Sequence, residues 1–178
     1  MTTEVHAVTS HTDDVWCACA FGDYIVSACE DTTLKMWNIE DGTCIRTLTG
    51  HTDYVRCVCA FGEYVVSGSE DETLKIWNPL DGTCVRTLTG HTDWVNCVCA
   101  FGEYVVSGSQ DNTLKVWNPL DGTCVRTLTG HTNDVTFVCS FGEYIVSGSL
   151  DSTVRVWTIP NMERDPLCPS TPQRVSEW

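Results

Sequence analysis

Long apolar runs are missing from this sequence, and positive charge is scarce in it. No stretch approaches the ~18 consecutive apolar residues that a membrane-crossing helix needs, so neither a spanning helix nor a membrane partner is expected. Lys and Arg number 10 against 24 Asp and Glu, a formal charge of −14. So few cations argue against nucleic acid as a partner and favour basic ones. The opening residues MTTEVHAVTSH have neither the basic start nor the apolar stretch of a secretory signal, which leads to the expectation of a soluble protein of the cytoplasm or nucleus. In that setting the 12 Cys are expected as reduced thiols rather than a disulfide framework. What is present is 42% hydrophobic residues, evenly spread, enough to bury a core in 178 residues.

The chain repeats itself with a period of 40. His11, His51, His91 and His131 lead four units, and Trp37, Trp77, Trp117 and Trp157 stand 26 positions later in each. The middle two units match at 35 of 40 positions, differing at Tyr54/Trp94, Arg56/Asn96, Glu70/Gln110, Glu72/Asn112 and Ile76/Val116. Within the second unit, four segments rich in β-branched, aromatic and Cys residues run from Val55 to Ala60, Tyr64 to Ser69, Leu74 to Trp77 and Cys84 to Leu88. Gly62-Glu63, Glu70-Asp71-Glu72 and Pro79-Leu80-Asp81-Gly82 separate them with turn chemistry. Sustained helical periodicity is lacking. Each unit therefore reads as a four-stranded antiparallel sheet, and such sheets in series bury both faces by stacking radially as the blades of an all-β propeller.

The Gly-His pairs (Gly50-His51, Gly90-His91, Gly130-His131), the Ser-x-Ser-x-Asp-x-Thr run and the Trp ending the third strand resemble the WD-repeat signature over residues 3 to 157. Units one and four depart slightly, with Ser10-His11, Ala28-Cys29 and Val154 at signature positions. The resemblance implies a hydrogen-bonded tetrad in each blade. By position these are His11, Ser27, Asp31, Trp37; His51, Ser67, Asp71, Trp77; His91, Ser107, Asp111, Trp117; and His131, Ser147, Asp151, Trp157. Although His, Ser and Asp together suggest a catalytic triad, four copies each joined to a Trp, with no strand-to-helix nucleophile elbow, read as structural pins. No enzyme activity, cofactor or metal is expected.

Cys17/Cys19, Cys57/Cys59 and Cys97/Cys99 alternate along first strands, and Cys44, Cys84 and Cys124 fall in fourth strands. Alternate strand positions hold Cα atoms ~6.6 Å apart with thiols parallel, unlike the turn-borne thiolate pairs of zinc sites, so these thiols are read as small packing residues.

Where near-copies differ, the shared framework leaves the residue free. Those positions cluster at three offsets: Asp14, Tyr54, Trp94, Asp134; then Trp16, Arg56, Asn96, Thr136; then Glu30, Glu70, Gln110, Leu150. In WD-repeat proteins these offsets face the top opening, where peptides and proteins dock, so the resemblance implies a protein-interaction scaffold. Aromatics among acids there suit a partner segment with basic and aromatic-anchoring groups. The phrase DGTCVRTLTGH and the short Phe-Gly-Glu-Tyr link are similar to the F-box/WD-repeat substrate receptors of ubiquitin ligases, which implies the alternative of a substrate-recruiting or regulatory subunit. An F-box itself is not expected in these 178 residues, and Glu30, Glu70, Gln110 and Leu150 stand where a phosphodegron reader would carry Arg.

The expected organisation is an N-terminal strand at 1–10, units at 11–50, 51–90, 91–130 and 131–157, and a Pro-rich flexible tail at 158–178. Residues 1–10 align with the fourth-strand register of later units, and the last unit lacks that strand. Three closures remain open: a four-bladed ring, half of a larger propeller, or a homodimer exchanging end strands into an eight-bladed ring. The last is the working hypothesis.

Overall fold

Short runs of β-branched and aromatic residues, each cut off by a Gly or Asp turn, leave the chain only strands to form. The computed structural model describes residues 8 and 10–159. The first blade holds β1 (Val15–Phe21), β2 (Tyr24–Cys29), β3 (Leu34–Asn38) and β4 (Cys44–Leu48). The second holds β5 (Val55–Phe61), β6 (Tyr64–Ser69), β7 (Leu74–Asn78) and β8 (Thr83–Leu88), within one residue of the segments read from sequence. The third holds β9 (Val95–Phe101), β10 (Tyr104–Ser109), β11 (Leu114–Trp117) and β12 (Cys124–Leu128). The fourth has β13 (Val135–Phe141), β14 (Tyr144–Ser149) and β15 (Val154–Thr158). Each blade is one antiparallel sheet in chain order, and the fourth has three strands among the described residues.

The blades stack through their first strands, β1 on β5, β5 on β9 and β9 on β13, with no comparable packing from β13 back to β1. The result is an open arc. Each junction is an apolar layer between neighbours. Val26, Ala28, Leu34, Met36 and Leu48 of blade 1 meet Val55, Val58, Val65 and Trp77 of blade 2, and the next two junctions use the equivalent positions. Arg46 and Arg86 add a polar tie, each donating from Nη1 to a turn carbonyl of the following blade, Asp81 and Asp121 respectively, both at 3.1 Å.

Thr158 belongs to β15, opposite Tyr144, so the tail expected from 158 does not begin there, because the strand continues past Trp157 to complete its pairing with β14. Residues 160–178 of that tail, and all of the expected N-terminal strand except residues 8 and 10, lie outside the described residues.

The turn between second and third strands places a non-Gly residue in the left-handed region in every blade: Thr32 (φ 64°), Glu72 (65°), Asn112 (66°) and Ser152 (66°). Asn tolerates this region, whereas a β-branched residue is strained in it. Thr32→Asn is therefore expected to stabilise the chain by up to about 1 kcal/mol, read as a higher urea midpoint at unchanged slope. An unchanged midpoint would show that the turn carries no such strain.

Candidate functional site

Each tetrad ties the residues ahead of a blade's first strand to the turn between its second and third strands. In blade 2, His51 Nδ1 lies 2.7 Å from Asp71 Oδ2 and Nε2 lies 2.7 Å from Ser67 Oγ, while Trp77 Nε1 donates to the same Oγ at 2.8 Å. A carboxylate only accepts, so Nδ1 carries the proton, Nε2 accepts from the Ser hydroxyl, and the Ser oxygen accepts from the indole. The chain of donors therefore runs one way, Trp to Ser to His to Asp.

The same contacts, all within 2.7–2.8 Å, join His11, Ser27, Asp31, Trp37; His91, Ser107, Asp111, Trp117; and His131, Ser147, Asp151, Trp157. A further Thr completes each set. Thr33, Thr73, Thr113 and Thr153 donate hydroxyl protons to the second oxygen of their Asp at 2.6–2.7 Å. Sequence reasoning passed over their role, although a Thr two residues after each Asp was the signal.

For Asp31, Asp71 and Asp111, burial alone would raise the carboxyl pKa, but hydrogen bonds from the His, the Thr and backbone amides hold it well below the ordinary range. Asp151 is lowered in the same direction, first by Thr153. Ser-His-Asp is the order of a hydrolase triad. Here, however, Ser67 and Ser107 are fully buried and each Oγ is already occupied by an indole, so no acyl group can approach it.

Metal chemistry meets a similar obstacle. His11, Cys29 and Asp31 bring potential ligand atoms within 4.8 Å of one another. Yet His11 and Asp31 bond each other, and Cys29, standing where the later blades have Ser69, Ser109 and Ser149, is held by the Asp13 carbonyl and the Asp31 amide. Along the first strands burial, then neighbouring thiols, push Cys19 up to about 11 and Cys99 up to about 12, and burial raises Cys57, Cys59 and Cys97 in the same direction. Such thiols stay protonated and unreactive.

Above the tetrads, the positions that vary between units come together by two devices. One is a backbone hydrogen bond repeated in every blade, Glu30 N to Asp14 O, Glu70 N to Tyr54 O, Gln110 N to Trp94 O and Leu150 N to Asp134 O, at 2.9–3.0 Å. The other is a β-bulge. Val15 pairs with Cys29 and Cys17 with Ala28, so Trp16 is the extra residue, and Arg56, Asn96 and Thr136 occupy the same irregularity in the other blades. A bulge re-aims its extra side chain. Here the structure gathers Trp16, Arg56, Asn96 and Thr136 around a cavity of about 320 Å³, completed by Asp134 and Leu150.

Arg56 is the hub. Its guanidinium lies 4.7 Å from the Trp16 ring centre and 5.3 Å from that of Trp94, and Nε stands 3.4 Å from Glu70 Oε1. Trp16 in turn donates its indole proton to Glu30 at 3.0 Å. Burial raises the Glu70 pKa, Arg56 opposes that, and Asp53 and Glu30 add to it. Asp14, Glu30, Tyr54, Glu70, Trp94 and Gln110 do not line the cavity; Glu30, Glu70 and Trp94 contact side chains that do, and Tyr54 is exposed.

This blade architecture, with a tetrad in every sheet, agrees with a family match. Residues 2–38, 42–78, 82–118 and 122–158 each match the family described as WD domain, G-beta repeat. The chain belongs to the WD40 family. The second, third and fourth matches open one strand ahead of their blades, with β4, β8 and β12, and the first begins ahead of β1. Among solved structures, this WD40 chain is similar to the computationally designed Ika4 protein, with 33% identity and a TM-score of 0.82 over 89% of this chain and 99% of that one. It is also similar to the designed Ika8 protein (33%, 0.79, 86% and 48%) and to U3-55K (29%, 0.81, 86% and 51%). The chain thus spans about half the length of Ika8 and U3-55K and nearly all of Ika4. Among curated proteins, none matches. WD40 domains generally serve as protein-interaction scaffolds, and no helix among the described residues is long and apolar enough to cross a membrane.

Proposed function

We propose that this WD40 domain is a non-catalytic scaffold that captures a partner protein through the cavity at the centre of its rim. The observation carrying this reading is the cavity's lining, in which exposed Trp16 and Leu150 flank acidic Asp134 beside polar Asn96 and Thr136. An aliphatic or aromatic anchor suits the first pair, and a neighbouring Lys or Arg on the partner suits Asp134 and Glu30. Arg56 is already engaged by Glu70 and two indoles, which leaves it little capacity to read a phosphate. Free thiols suit the reducing cytoplasm or nucleus. The alternative role, recruiting substrates to an enzyme assembly such as a ubiquitin ligase, would use the same rim and rests on the likeness of the DGTCVRTLTGH phrase and the short Phe-Gly-Glu-Tyr link.

The test is selection of peptides on the intact chain from a displayed library, then affinity measurement with Trp16→Ala and Leu150→Ala. A central apolar anchor lost from an interface costs on the order of 2 kcal/mol, so each variant is expected to bind the selected peptides more than tenfold more weakly. Neither side chain is buried, so thermal stability should hold. Equal binding by wild type and both variants would refute the rim as the docking site.

A further inference from the structure

The two ends of the arc are the halves of a junction that the chain makes three times elsewhere. At each formed junction, the leading face of the following blade presents Val55, Val58, Val65 and Trp77, or their equivalents. On blade 1 that face is Val15, Ala18, Ile25 and Trp37, and it lines an open cavity of about 350 Å³. Val15 is 53% exposed, whereas Val55, Val95 and Val135 are fully buried. On blade 4 the opposite face carries Phe137, Val154 and Val156, 54%, 73% and 63% exposed, at positions that blade 2 buries as Cys57, Leu74 and Ile76.

The fit is specific. At two of the three formed junctions a Gly on one blade receives a Val from the next: a Cβ on Gly68 would stand 2.5 Å from Val95, and one on Gly108 the same distance from Val135, while at the first junction Ala28 takes this place against Val55. Gly148 keeps this socket, but only Phe137 lies within 4 Å of it, at 3.7 Å. Val15 is the matching knob without a socket. Size also compensates across the gap. Blade 4 places the larger Phe137 where other blades have Cys, and blade 1 places the smaller Ala18 where the partner layer has Val58, Val98 or Val138. Val8 adds a register argument. It lines the blade 1 cavity at the position Leu48 and Leu88 hold in their junctions, where the preceding blade's fourth strand runs. Among the described residues, blade 4 is the one whose sheet has three strands.

We propose that the occupant of both end faces is a second copy of this chain: blade 1 of each copy stacks on blade 4 of the other, closing two arcs into one ring of eight blades. β13 does not pack on β1 within one chain, so the two faces cannot satisfy each other intramolecularly in this arc. Two copies bury both faces twice, with Val15 seated at Gly148 and Phe137 over Ala18. The contact is head-to-tail and continues the existing blade-to-blade interface, and closure after two copies prevents open polymerisation.

Sedimentation of the full chain at micromolar concentration tests this. Wild type is expected at twice the 19.7 kDa chain mass. Val15→Lys and Val156→Glu are each expected at the single-chain mass with unchanged strand circular dichroism. An equimolar mixture of the two variants should regain the pair, because one intact blade 4 still meets one intact blade 1. Leu120→Lys, on an exposed turn away from both faces, should leave the pair in place. A wild-type monomer, a ladder of larger species, or loss of pairing with Val156→Glu but not Val15→Lys would each overturn the proposal. If the variants lose their strand signal, the wild-type mass decides alone.

Discussion

Trp77→Ala is expected to lower stability by about 3–5 kcal/mol, a large share of a domain's total. Trp77 is wholly buried in the layer between blades 1 and 2, and its indole supplies the proton that Ser67 Oγ accepts. Removing it opens a cavity and leaves Ser67 without its donor at the centre of a tetrad. The four near-identical blades provide an internal control. Trp157 makes the same bond to Ser147 at 2.8 Å but is only half-buried, in the blade with three described strands. Trp157→Ala should therefore cost clearly less than Trp77→Ala. Urea unfolding of both variants measures the difference, and equal losses would mean that burial does not set the worth of this Trp.

Asp111→Ala is expected to cost on the order of 3 kcal/mol, because one carboxylate accepts from His91 Nδ1, the Thr92 amide, and both the amide and hydroxyl of Thr113. With the acceptor gone, the buried His91 Nδ1–H has lost its partner. The same bonds create a pH dependence whose sign follows from linkage. Asp111 has a folded pKa well below its ordinary value, so its ionised form is favoured by folding. That contribution is complete above about pH 5 and is lost as pH falls from about 4 toward the lower folded value. Asp31, Asp71 and Asp151 act in the same direction. Stability measured by urea unfolding should thus fall progressively below about pH 4. Asp111→Asn, which cannot titrate, should start lower at pH 7 and decline less steeply. An equally steep acid decline in Asp111→Asn would exclude this Asp as a source of the pH dependence.

Much of the fold was legible because its elements repeat at constant spacing. The segments read for the second unit coincide with β5 to β8 to within a residue, since Gly62, Asp71 and Gly82 stand at turns whichever way the sheet later packs. The rim was legible as a set of positions but not as an object. That Trp16, Arg56, Asn96 and Thr136 point into one cavity depends on a bulge, and a bulge is a choice of strand twist that no residue pattern around Cys17 or Cys57 announces. Nor did the spacing reveal that Arg56 sits between Trp16 and Trp94, which come from three different blades.

The tetrads span separations of 10, 16 and 20 residues inside one unit, so a 40-residue sequence carries all their donors and acceptors, and each copy forms the same network. That was settled in the residues. The Arg56 stack and the 350 Å³ cavity beside Val15 depend on where whole blades stand relative to one another. Blade placement follows from side-chain volumes in three apolar layers and from the lack of comparable packing between β13 and β1, and the 40-residue period does not show which blade faces stay open. Only the folded arc distinguishes Val15 from Val55, leaving one exposed and burying the other.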